Sequence, residues 1–87
     1  MTLSTENVEM TPSQCRAARA LLNMTQPALA AGADVGLSTV VDFEKSRRNL
    51  PADTIGKLRK ALEAAGVELV PEDAKGVGVR FSSPTAP

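Results

Sequence analysis

Residues 25–44 read TQPALAAGADVGLSTVVDFE, and the spacing of their apolar residues and helix breakers decides the fold. Thr25 is suited to cap a helix. Pro27 falls in the first turn, where backbone N–H groups have no intrahelical partner to lose. Leu29 and Ala30 then turn inward. At Gly32, Ala33 and Asp34 the chain changes direction, and Val35 and Gly36 lead into another helix whose Val40 and Phe43 share one face. Two short helices joined by a tight turn thus fit into twenty residues.

Working outward, Thr11 precedes Pro12, and Gln14 follows three residues after the cap, the layout of a capping box. Cys15, Ala18, Leu21 and Leu22 then lie on one face, which predicts a first helix over residues 12–22. Beyond the central pair, residues 46–50 form a polar link. Pro51 opens a fourth helix with Ile55, Leu58 and Leu62 in phase, closed by Gly66, where a left-handed residue is wanted. After Gly66 the period falls to two, so residues 67–70 and 77–81 read as strands around a polar loop. A lone hairpin is marginal in water. It must pack on its own helices or complete a sheet with a second chain, and the second is favoured because nothing else in the sequence offers a dimer surface. The expected fold is mainly α: a flexible arm over residues 1–10, a four-helix domain over 11–66, a C-terminal β-hairpin over 67–81 and a disordered Ser/Pro tail over 82–87.

Composition limits the chemistry. The 87 residues include two Phe and no Trp or Tyr, enough for one thin aliphatic core. With no His and only Cys15, the usual zinc sets, the Ser-His-Asp and Cys-His nucleophiles and the commonest general base are missing. The run GVGVR at 76–80 does not open a helix and is no phosphate loop. An enzyme is therefore not expected, nor a metal, a cofactor or a small-molecule ligand. A single cysteine and the lack of a long apolar run imply a reducing, cytoplasmic setting without a membrane span. Formal charge is zero, but Lys45, Arg47, Arg48, Lys57, Arg59 and Lys60 against Asp53 leave residues 45–60 at +5 and the remainder at −5. Neutrality is an average over a polarised molecule.

Residues 25–44 resemble the helix-turn-helix of the phage-repressor family, the Cro-like or lambda-repressor-like DNA-binding domains. The likeness lies in Thr25-Gln26 opening the first helix, Leu29-Ala30 within it, Ala33-Asp34 at the turn, Val35 after it, Ser38-Thr39-Val40 in the second helix and Phe43-Glu44 at its close. It extends over roughly residues 11–66. Asp34 stands where the family usually has Gly, and Gly36 where it has a Ser/Thr cap. Asp tolerates a left-handed backbone and Gly is an acceptable N-cap, so the fold is expected to survive both.

The resemblance implies double-stranded DNA as partner, with the helix over 37–45 in the major groove. Gln26, Leu37, Ser38, Val41 and Asp42 are then candidates for reading bases. Thr25, Thr39, Lys45, Ser46, Arg47, Arg48 and Asn49 are candidates for holding phosphates. Asp42 is the odd member, since a carboxylate near phosphates must accept from cytosine N4 or orient a cation such as Lys45. Arg19 and Glu44 fall where some members place an ion pair. Val67, Leu69, Val77, Val79 and Phe81 are candidate dimer contacts. The expected function is a sequence-specific transcriptional regulator, a repressor or autoregulator of phage-like or mobile-element kind, acting as a homodimer on an inverted repeat. The alternative is a helix-turn-helix module that binds a protein partner, as antiactivator, adaptor or antitoxin.

Overall fold

The computed structural model describes residues 10–83. It contains α1 (Pro12–Leu22), α2 (Gln26–Ala33), α3 (Leu37–Glu44), α4 (Ala52–Ala65), β1 (Val67–Val70) and β2 (Gly78–Phe81). The two strands pair antiparallel, with Val67 opposite Phe81 and Leu69 opposite Val79.

The first two helices begin on side-chain caps, whereas α3 and α4 start without one. At α1 the Thr11 hydroxyl accepts from the Gln14 backbone N–H and the Gln14 side-chain Oε1 accepts from the Thr11 N–H, completing a capping box. The Thr25 hydroxyl accepts from the Ala28 N–H at the start of α2. Three helices end on left-handed residues that are not glycine: Asn23, Asp34 and Ser46, with φ of 54°, 59° and 58°. In each case the next residue's N–H reaches back across the turn: Met24 to Arg19, Val35 to Ala30, Arg47 to Asp42. These are Schellman closures, and they use the carbonyls that a helix end leaves unpaired. Lys45 is the C-cap of α3 and not its last helical residue, because the left-handed Ser46 follows immediately.

Met10, Cys15, Ala18, Leu29, Ala30, Ala33, Val40, Phe43, Ile55, Leu58, Leu62, Val67 and Leu69 form the core. α2 packs on α3 and α4, while α1 bridges α3, α4 and the hairpin. Met10 corrects the expected extent of the arm: it is buried in the core. The rest of the expected arm, residues 1–9, and tail residues 84–87 lie outside the described residues. Ser82 is no free tail residue either, since its N–H donates to Gly66 O and prolongs the ladder. β2 starts at Gly78, one residue later than its pattern suggests, because Val77 has no partner on β1.

The hairpin packs on the helices of its own chain, which corrects two of the candidate dimer contacts. Val67 and Leu69 are buried in the domain core. Side chains alternate along a strand, so Val67, Leu69, Val79 and Phe81 share the helix-facing side, and Glu68 and Arg80 pair at 3.0 Å on the other. Gln14 locks this arrangement. Its Nε2 donates to Val70 O at 3.0 Å and to Gly78 O at 2.9 Å, tying the start of α1 to the turn end of the hairpin.

Gly56 lies inside α4, and a Cβ there would meet nothing within 4 Å. Gly56→Ala is expected to stabilise the fold by about 0.5–1 kcal/mol through reduced freedom of the unfolded chain. Urea denaturation checks this, and a lowered midpoint would contradict it.

Candidate nucleic-acid interface

The turn between α2 and α3 places Asp34 at φ 59°, ψ 48°, with Asp34 N–H on Ala31 O and Val35 N–H on Ala30 O. Val40 and Phe43 are buried and Val35 packs against the core, which anchors α3 by one side. The opposite side is accessible. Leu37 is 46% exposed and Ser38 is exposed, while Thr39, Val41 and Asp42 are half-buried. Lys45, Ser46, Arg47, Arg48 and Asn49 follow directly, all exposed. Thus the outer side of α3 runs into a basic loop, and Lys57 and Lys60 of α4 add exposed cations. Asp42 makes no ion pair among the described residues, so it does not orient Lys45.

Behind α3 lies a polar hub centred on Glu44, 2% exposed. Arg19 grips it with both arms: Nε donates to Oε2 and Nη2 to Oε1, each at 2.7 Å. The Cys15 thiol donates to Oε2 at 3.1 Å and Gln26 Nε2 to Oε1 at 3.0 Å. Arg16 donates to the Glu44 backbone carbonyl and, through Nη2, to Ser13 Oγ at 3.0 Å. One carboxylate therefore joins α1, α2 and the end of α3. Burial pushes the Glu44 carboxyl up, but hydrogen bonds from Arg19, Cys15 and Gln26 outweigh it and hold the group below the usual carboxylate range. Burial, with the hydrogen bond to Glu44, pushes the Cys15 thiol far up, so it stays a protonated donor.

The hub fixes Gln26 at the first position of α2, with one amide N–H committed to Glu44. Thr25 uses its oxygen as a cap and keeps its hydroxyl proton for another acceptor. Of the polar partners here, Cys15, Arg16 and Gln26 on Glu44 are absent from the sequence reading; only Arg19 is named there. Among the described residues no group of acidic, Cys or His side chains could hold a metal ion. No helix among them is long and apolar enough to cross a membrane.

A core-anchored helix reached through a tight turn, with an accessible outer side leading into a basic loop, defines a helix-turn-helix domain. Residues 16–69 match the model of the helix-turn-helix family, and the chain belongs to that family, the lambda-repressor/Cro-like proteins. It is accordingly a DNA-binding regulator. A comparison with curated proteins found no match.

Proposed function

We propose that the protein is a transcriptional repressor or autoregulator that binds an inverted-repeat operator as a homodimer, with α3 in the major groove. The carrying observation is that the accessible side of α3, Leu37, Ser38, Val41 and Asp42, is continuous with the exposed Lys45, Arg47 and Arg48. Leu37 is suited to a thymine methyl, Ser38 to a base edge and Asp42, lacking a cation, to cytosine N4. Thr25 sits at the α2 N-terminus, where N–H donors favour phosphate, and Gln26 beside it keeps its amide oxygen and second N–H for a base edge. Thr39, Ser46 and Asn49 complete the backbone contacts.

The test is a fluorescence-anisotropy titration against the protein's own promoter region and a scrambled duplex at two salt concentrations. Tight, salt-sensitive binding to the promoter alone supports the proposal. Equal binding to both duplexes favours the protein-binding alternative, for which the 46% exposure of Leu37 is the best argument. Arg47→Ala and Arg48→Ala should each reduce the slope of log K against log salt by about 0.9, weakening binding roughly tenfold at 0.1 M salt. An unchanged slope would remove that arginine from the interface.

A further inference from the structure

The start of α1 and the loop after α3 enclose a groove of about 480 Å³. Its floor is apolar: Met10, Phe43 and Ile55 are buried and Leu50 is half-buried. Its rim is polar, with Arg48 and Asn49 exposed. Among the described residues Arg48 makes no ion pair, so a cation stands beside an open apolar surface. That combination suits a peptide with an aliphatic side chain close to a carboxylate. The chain carries one at the right place. Residues 1–9, MTLSTENVE, run directly into Met10, which lines the groove. They contain Glu6 and Glu9 and no Lys or Arg. The phosphates of a duplex repel such a segment, whereas the +5 of residues 45–60 attracts it.

We infer that residues 6–9 dock along this groove and shield Arg48, so that the chain's own leading segment competes with DNA phosphate. This rests on the phosphate-binding role given to Arg48 above. The junction sets the phase. Thr11 has an extended backbone, φ −83° and ψ 159°, and Met10 before it is buried in the core. Side chains alternate along extended backbone, so Val8 and Glu6 fall on the side of Met10 and Glu9 falls on the other. Val8 is roughly 7 Å along the chain from Met10. That distance sets it over the floor of Phe43, Leu50 and Ile55. Two residues further, the Glu6 carboxylate accepts from the Arg48 guanidinium at the rim. The opposite phase would press Glu9 onto the apolar floor with no partner, which is costly. An exposed ion pair alone is worth little, and the aliphatic contact beside it is what makes docking competitive. A segment docked in about two molecules of three lowers the apparent affinity for DNA roughly threefold.

Two measurements on the whole chain test this. Without DNA, nuclear Overhauser effects should connect the Val8 methyls with the Phe43 ring and the Ile55 methyls. With the promoter duplex at low salt, fluorescence anisotropy should give Val8→Ser and Glu6→Gln each a Kd roughly threefold below that of wild type. Val8→Ser leaves the charge unchanged, so its gain reports docking and not the field of the whole chain. In an Arg48→Ala background the gain from Glu6→Gln should fall below ~1.5-fold, because its partner is gone. Absent Overhauser effects, a Val8→Ser Kd equal to wild type, or a Glu6→Gln gain as large with Arg48→Ala as without it, overturns the docking. A wild-type chain that binds promoter and scrambled duplexes alike overturns the operator reading and leaves the docking standing if both variants still tighten binding, since phosphate contacts carry no sequence information.

Discussion

Glu44→Ala is expected to lower the unfolding free energy by about 3–5 kcal/mol at neutral pH. The argument begins with burial. Glu44 is 2% exposed and accepts from Arg19 through both oxygens, from Cys15 and from Gln26. Alanine leaves the Arg19 guanidinium, 19% exposed, short of a counter-charge and two further donors without acceptors. For a domain of this size, 3 kcal/mol is a large share of the total and shifts the melting temperature by roughly 12–24 °C. Glu44→Gln keeps the shape and one acceptor for Arg19, so it should cost less, about 2 kcal/mol. Thermal denaturation distinguishes the three proteins, and a melting temperature unchanged in Glu44→Ala would show that the hub contributes nothing net.

The same hub fixes the sign of the pH dependence. The folded carboxyl of Glu44 lies below its unfolded value of about 4.3, so the unfolded state binds the proton first on acidification. Its stabilisation is complete above that value and is lost as the pH falls through the folded one. Below pH 4 the gap between wild type and Glu44→Gln should therefore shrink. Cys15 acts on the alkaline side. Its thiol is raised by burial, so above the ordinary thiol value of about 8.5 the unfolded state ionises first, and stability falls by up to about 1.4 kcal/mol per pH unit. Cys15→Ala should flatten that limb; an alkaline slope equal to wild type would assign the loss to other groups.

Much of this was legible in the sequence because its signals are local. Thr11, Pro12 and Gln14 mark one helix start and Gly66 a helix end. Val40 with Phe43, and Ile55 with Leu58 and Leu62, give the buried phases directly, and all five are buried. What stayed hidden spans long separations. Gln14 reads as half of a capping box, yet its amide reaches residues 56 and 64 positions away. Val67 and Leu69 read as dimer contacts because an alternating strand shows which residues share a side, not which body covers that side. A signal existed in two places. Gln14 lies four before Ala18, and Glu44 four after Val40, so each is a polar residue in phase with an apolar stripe. Such a residue is buried with its hydrogen bonds satisfied or it is not buried at all.

Gln14→Glu uses that rule to isolate the link between α1 and the hairpin, and it should cost about 2–4 kcal/mol at pH 7. The change keeps the acceptor that the Thr11 N–H requires, so the capping box survives. It deletes the donor shared by Val70 O and Gly78 O and sets a carboxylate oxygen against those two carbonyls, at a position 4% exposed. Burial and the two facing carbonyls outweigh the one N–H of Thr11 in opposing ionisation there, so its folded pKa rises above the unfolded value. Protonation restores an O–H donor for one of the two carbonyls. The deficit is thus fully present above the folded pKa and shrinks as the pH falls toward 4, whereas for Glu44 it is the wild-type protein that loses stabilisation on acidification. Urea denaturation at pH 7 and pH 4.5 reads both. A Gln14→Glu deficit independent of pH would mean that packing alone holds the hairpin on α1, and that the amide only fills space between them.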